Sequence, residues 1–135
     1  MTVFVDASFL IAIFNDKDQF HLPATKIAKQ LESQNYQPYT SNVALAEAVN
    51  FIFRLSGSSQ AKNFLMLTRK TDLEIIHLSK EIFSQGYKLL FKQKSKRGLN
   101  LFDCLHLATM KTLGIKTILT LDQGFKKEVK VIGLQ

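Results

Sequence analysis

Thr2-Val3-Phe4-Val5-Asp6-Ala7-Ser8 is the stretch on which the fold turns. Its first four residues alternate little and are rich in β-formers, as a strand buried on both faces would be. An acid follows at once, so Asp6 falls at the carboxyl end of the strand, where open parallel sheets bind their ligands. Near the other end of the chain, Thr117-Ile118-Leu119-Thr120 repeats the arrangement, with Asp122 just beyond it. Two strands delivering a carboxylate to the same sheet edge make a stronger signal than either alone.

Between these strands the pattern predicts helices in pairs. Ser8 to Asn15 reads as a two-turn apolar helix, and Asp16-Lys17-Asp18 as a polar break. Pro23 to Ser33 places Ala24, Ile27, Ala28 and Leu31 at core spacing. Gln37 to Thr40 is a short strand, after which Ser41 caps a helix from Asn42 to Leu55. Ser56-Gly57-Ser58-Ser59 ends that helix, and Gln60 to Lys70 forms the next. Leu73 to Leu78 is apolar and β-branched, which predicts an inner strand. Ser79 caps a helix running towards Gln93, with Gly86 weakening its middle. Asn100 opens a further helix, Asp103 stands at capping-box spacing, and Gly114 ends it. Thr117 to Thr120, a turn or short helix around Phe125, and a strand from Val129 to Leu134 complete the chain. The order β-α-α-β-α-α-β-α-α-β-(α)-β predicts an α/β fold with a mainly parallel sheet covered on both faces.

The 135 residues fit a single domain over positions 1–135, and the 46% apolar content is ample for its core. No run of 18 apolar residues suggests a membrane span. The first residues carry no basic leader, and the single cysteine, Cys104, suits a reducing compartment, so a cytoplasmic protein is expected. Cys104 itself is expected to be a small buried apolar residue. The net charge of +7 favours polyanionic partners. Five cations, Lys88, Lys92, Lys94, Lys96 and Arg97, fall in a stretch without acids from Phe83 to Phe102. That stretch reads either as a solvated helix end, or as a phosphate-contacting edge or docking surface. The eleven Phe residues mostly fall at core spacing and do not read as a base-stacking platform.

Four acids stand where a plain surface would not put them. Besides Asp6 and Asp122, Glu47 interrupts Val43-Ala44-Leu45-Ala46-Glu47-Ala48-Val49, with Asn50 and Arg54 continuing one narrow polar stripe. Asp103 interrupts Leu101-Phe102-Asp103-Cys104-Leu105-His106-Leu107-Ala108. Local capping, or pairing of Glu47 with Arg54 or a lysine, would explain each one singly. Drawn together, the four would repel one another until a hard cation such as Mg²⁺ or Mn²⁺ relieved the repulsion. The set is all oxygen, with no Cys/His spacing for zinc. No GxSxG, Walker A or GxGxxG motif is present to supply another chemistry. Ser8 and Thr120, each two residues from an acid, are candidates to orient a carboxylate or contact phosphate. His106 shares the helix face of Asp103 and is either a supporting contact or a satisfied structural histidine; His21 and His77 carry no signal.

Val5-Asp6-Ala7-Ser8, Glu47 in its helix, Asp103-Cys104-Leu105-His106-Leu107-Ala108 and Leu119-Thr120-Leu121-Asp122-Gln123-Gly124-Phe125 together resemble the PIN domain family, in particular the VapC-type toxin ribonucleases of bacterial toxin–antitoxin systems. The resemblance implies a three-layer α/β/α domain with an approximately five-stranded parallel sheet. It implies that Asp6, Glu47, Asp103 and Asp122 are the acidic quartet holding Mg²⁺ or Mn²⁺, supported by Ser8 and Thr120. It also implies an RNA substrate, a homodimer and a small antitoxin partner. Asn100 departs from the Ser or Thr that many members carry three residues before the third acid, although Asn still caps a helix. The alternatives are a PIN-like module that binds RNA or protein but cleaves weakly, and a metal-dependent nuclease acting on DNA. An aspartyl phosphatase or a phosphoacceptor receiver is disfavoured, because Ser8 stands where the phosphatase needs a second acid and no paired acids follow the first strand.

Overall fold

The structure, a computed structural model, describes residues 1–133. Its elements follow the expected order: β1 (Thr2–Val5), α1 (Ala7–Phe14), α2 (His21–Glu32), β2 (Gln37–Ser41), α3 (Asn42–Ser56), α4 (Ser58–Arg69), β3 (Glu74–Ile76), α5 (Lys80–Lys92), α6 (Leu101–Leu113), β4 (Thr117–Leu119), a 3₁₀ turn (Gln123–Lys127) and β5 (Lys130–Ile132). The strands form one sheet in the order β3-β2-β1-β4-β5, and every neighbouring pair is parallel.

The apolar pattern of β1 explains the layering. Val3 and Val5 face one side and pack with Phe9, Leu10, Ala24, Leu45, Ile52 and Phe64 from α1 to α4. Phe4 points to the other side, into a cluster with Met110, Ile115, Ile118 and Phe125. A strand covered on both faces has no solvent side to mark with polar residues. Local chemistry sets the helix starts. Ser41 Oγ accepts from the Ala44 amide, and Ser79 Oγ from the Ile82 amide. Asn100 and Asp103 exchange reciprocal bonds in a full capping box.

Several expectations need correction. The apolar segment Leu73–Leu78 yields only the three-residue β3, at an edge of the sheet, with Ile75 and Ile76 half-buried. Apolar composition does not reveal that only one neighbour is available to pair with. The break after α3 is Gly57 alone, since Ser58 and Ser59 already belong to α4. The last strand is confined to Lys130–Ile132, and Leu134 lies outside the described residues. The Phe residues are not mainly core: Phe4, Phe9, Phe64 and Phe125 are buried, whereas Phe20, Phe51, Phe53, Phe91 and Phe102 are exposed.

Gly86 also has a different meaning from the one its helix propensity suggests. It is the contact point of α5 with α6, where an added Cβ would come within 2.6 Å of Leu105 Cδ2 and 3.2 Å of its Cγ. Leu105 is itself buried and has little room to turn away. Gly86→Ala gains about 0.5–1 kcal/mol of helix propensity against about 1–3 kcal/mol of overpacking. The expected net effect is destabilisation by about 1 kcal/mol, read as a lower urea midpoint with an unchanged m-value. A midpoint above that of the parent would show the helices free to separate.

Candidate active site

β1 pairs with β4 so that Val5 lies opposite Leu119. The residues that follow, Asp6 and Thr120, therefore meet although 114 positions separate them. Asp6 caps α1 by accepting from the Phe9 amide at 3.1 Å through Oδ1, which also accepts from Ser8 Oγ at 2.7 Å. Thr120 Oγ1 donates to Oδ2. Both hydroxyls have second partners: Ser8 Oγ accepts from the Leu121 amide at 3.0 Å, and Thr120 Oγ1 from the Asp122 amide at 2.9 Å. The two hydroxyls thus join the end of β1 to the loop after β4. Asp6 is only 6% exposed. Burial pushes its carboxyl above the ordinary value of 3.8, against the opposing effects of Thr120, Ser8, the Phe9 amide and His106.

One support of this corner was not legible in the sequence. Gly133 follows β5 against the backbone of Thr120, where an added Cβ would lie 2.2 Å from the Thr120 carbonyl oxygen. Only glycine permits so close an approach without displacing the residue that holds Asp6. The strand pattern around it carries no sign of this requirement.

Asp103 is half-buried at the start of α6, where its Oδ2 accepts from the Asn100 amide at 3.2 Å. Its carboxyl is raised above the ordinary value, first by burial and then by the charges of Asp122 and Asp6, while the Asn100 amide and His106 oppose the rise. The three aspartates therefore share one electrostatic neighbourhood. Asp122 is the exposed member, its Oδ1 capping the 3₁₀ turn through the Gly124 amide at 2.8 Å.

Glu47 meets neither Arg54 nor a lysine. Its Oε1 faces His106 Nε2 at 3.4 Å. That contact lacks hydrogen-bond geometry, and among the described residues neither Glu47 Oε1 nor His106 Nδ1, both buried, has a hydrogen-bond partner. His106 is almost fully buried against the ring of Phe4. It faces Glu47 on α3 and, when protonated, favours the ionised forms of Asp6 and Asp103; with Nδ1 unpaired it is not a satisfied structural histidine. Its position three residues after Asp103 was the sequence signal.

Among the described residues, no three His, Cys, Asp or Glu side chains are placed to ligate one ion together. The chemistry of the donors nevertheless fits a hard cation. Two desolvated aspartates, a third acid raising one of them, and a buried Glu47 oxygen form an all-oxygen set that, among the described residues, no lysine or arginine pairs with. Mg²⁺ characteristically takes one or two carboxylates and keeps water for its other positions, so it does not need a closed cage.

The basic segment runs from the last turn of α5 into the loop that leads to Asn100, and its five cations are exposed. Gln93 closes this loop: its Nε2 donates to the Leu99 carbonyl and its Oε1 accepts from the Leu99 amide, both at 2.7 Å. Cys104 is buried, as expected.

A family model described as PIN domain matches residues 3–130. Among solved structures, the chain is similar to VapC20 of Mycobacterium tuberculosis, a toxin described as cleaving the sarcin–ricin loop. Identity is 25% with a TM-score of 0.78, covering 93% of each chain. It is also similar to a chain of VapBC2 from Rickettsia felis, solved with a promoter DNA fragment, at 16% identity and a TM-score of 0.76 over 100% of each chain. A third likeness is to a toxin–antitoxin complex from Klebsiella pneumoniae, at 21% identity and a TM-score of 0.70, covering 96% of this chain and 95% of that one. A comparison with curated protein sequences finds no match. These likenesses show a shared fold over nearly the whole chain.

Proposed function

Because the chain belongs to the PIN domain family, we propose that it is a divalent-metal-dependent ribonuclease, the toxin of a toxin–antitoxin pair, working as one nuclease unit over residues 1–135. The observation that carries the reading is the construction around Asp6. A buried carboxylate that accepts from three donors and is coupled by charge to Asp103 is costly to desolvate and is held in one orientation, as a metal ligand must be. The RNA substrate is supported by the likeness to a sarcin–ricin-loop-cleaving toxin.

Asp6, Glu47, Asp103 and Asp122 are the residues that would hold Mg²⁺ or Mn²⁺. When bound, the cation would acidify water and offset charge on the phosphoryl oxygens. The chain's own contribution is orientation. An ionised carboxylate offers about four acceptor positions; three on Asp6 are filled by Ser8, Phe9 and Thr120, which fix the carboxylate and leave it little freedom. Ser8 and Thr120 therefore act as positioning residues. The capping box holds Asp103 in the same way, and Asn100 serves it as well as Ser or Thr would. His106 Nε2 faces the buried Glu47 Oε1 at 3.4 Å.

The antitoxin reading is supported by likeness to toxin–antitoxin assemblies, and Phe51 and Leu55, one turn apart on α3, offer exposed apolar surface that such a partner would cover. We place the protein in the cytoplasm as a homodimer. The deciding assay is incubation of purified protein with total and defined RNAs in Mn²⁺, with and without chelator. Cleavage in Mn²⁺ that chelation abolishes and re-addition restores is the expected result. RNA left intact under both conditions would remove the nuclease reading in favour of a binding module.

A further inference from the structure

The outer face of α5 carries a feature that the acidic site does not use. Phe83, Tyr87 and Phe91 recur every fourth residue and form one row along the helix. Tyr87 and Phe91 lie nearly parallel, with ring centroids 6.4 Å apart and an interplanar angle of 13°, and Phe83 adjoins Tyr87 at 6.3 Å. Phe91 is 78% exposed and Tyr87 43%. One residue further round the helix, Lys88 and Lys92 form a second row at the same spacing, continued by Lys94, Lys96 and Arg97 in the loop. No acid occurs from Phe83 to Phe102.

The placement of this face follows from the packing of α5 on α6. Gly86 meets Leu105, and Gln93 meets Leu99 and approaches Cys104, so the two helices run antiparallel. Phe91 and Lys92 therefore stand at the end of α6 that holds Asp103. Phe102, 44% exposed, adds another ring immediately before that acid.

We infer that the Tyr87–Phe91 row, flanked by Lys88, Lys92 and the Lys94–Arg97 loop, is a stacking track for single-stranded RNA beside the acidic site. The inference rests on the ribonuclease reading and adds to it the form of the substrate. Charge decides the class of ligand: a stretch of five cations with no acid selects a polyanion. The rings decide between polyanions. An acidic peptide or a duplex presents no free base face, whereas unpaired bases stack on exposed aromatic planes while lysines follow the phosphates. The exposure of Phe91, costly in water, acquires a use.

The test measures binding in EDTA, where cleavage is absent, using a single-stranded RNA oligonucleotide carrying 2-aminopurine and an abasic oligonucleotide of equal length. Wild type, Tyr87→Ala, Phe91→Ala, the double variant and Lys88→Gln/Lys92→Gln are compared. Stacking on these rings requires 2-aminopurine quenching by wild type. Each ring removed should weaken binding of the base-bearing strand about tenfold and lessen the quenching, with abasic binding unchanged. The lysine variant should weaken both strands and flatten the salt dependence. Equal loss for both oligonucleotides in the alanine variants, or undiminished quenching, overturns the inference. So does a change of oligomeric state in the double variant on size-exclusion chromatography, which would assign the rings to a contact between copies. Because the alanine variants leave the acidic residues intact, RNA cleaved and bound by wild type but bound equally well by the double variant refutes the track alone. Wild type that neither binds nor cleaves RNA refutes the ribonuclease reading beneath it.

Discussion

Asp6→Asn should lower metal-dependent RNA cleavage by on the order of a thousandfold while leaving the circular-dichroism spectrum unchanged. The size follows from the chemistry of the charge: metal stabilisation of a phosphoryl transition state is worth several kcal/mol, and about 1.4 kcal/mol is a factor of ten. The fold should survive because the amide keeps an oxygen to accept from Ser8 and the Phe9 amide, the bonds that cap α1. Thr120 loses an anionic acceptor but retains its bond from the Asp122 amide. The variant also carries one less negative charge beside Asp103. It should therefore bind RNA in chelator at least as tightly as wild type. Full cleavage by the variant in Mg²⁺ would remove Asp6 from the reaction.

The second expected result concerns stability without metal. Asp6 and Asp103 both have carboxyls raised above 3.8 in the folded protein. The native state then binds protons more tightly than the unfolded chain does. Their contribution to stability is greatest below the ordinary carboxylate value and is lost as pH rises through the raised folded values. Metal-free protein should accordingly melt at a lower temperature near neutral pH than at mildly acid pH. Mn²⁺ should restore the loss, since binding to the ionised native state stabilises by mass action.

Asp103→Asn separates this effect from the protein's other titrations. The amide retains an acceptor for the Asn100 backbone, so the capping box survives in its geometry. What disappears is a half-buried charge facing Asp122 and Asp6. In chelator the variant should melt several degrees above wild type near neutral pH, and the two should converge towards acid pH. Added Mn²⁺ should raise the variant less than wild type. Scanning fluorimetry between about pH 4.5 and about pH 8 covers the window in which buried carboxyls titrate. A pH-independent gap between the two proteins would assign the stabilisation to packing or helix propensity and not to charge.

These expectations separate what is local in the chain from what is not. The order of elements, the start of α3 at Ser41, the start of α5 at Ser79 and the Asn100–Asp103 box were legible, because a cap and the helix it begins lie within one turn of each other. The burial of β1 on both faces was legible too, since Val3 to Val5 offers no polar side to water. Asp6 and Asp122 stood out by following strands, Glu47 and Asp103 by interrupting apolar helices.

Tertiary structure decided the rest. The strand order β3-β2-β1-β4-β5 puts β1 beside β4, and only that adjacency lets Thr120 hold a carboxylate 114 residues away. The same packing gives Glu47 a histidine as its neighbour, presses Gly86 on Leu105 and Gly133 on the Thr120 carbonyl, and leaves Phe91 uncovered. Periodicity along a chain records that a face is apolar; it carries no record of which distant segment, if any, arrives to cover it. Element type and capping were therefore written in the sequence, while the companions of each side chain came from the pairing of strands and helices far apart along it.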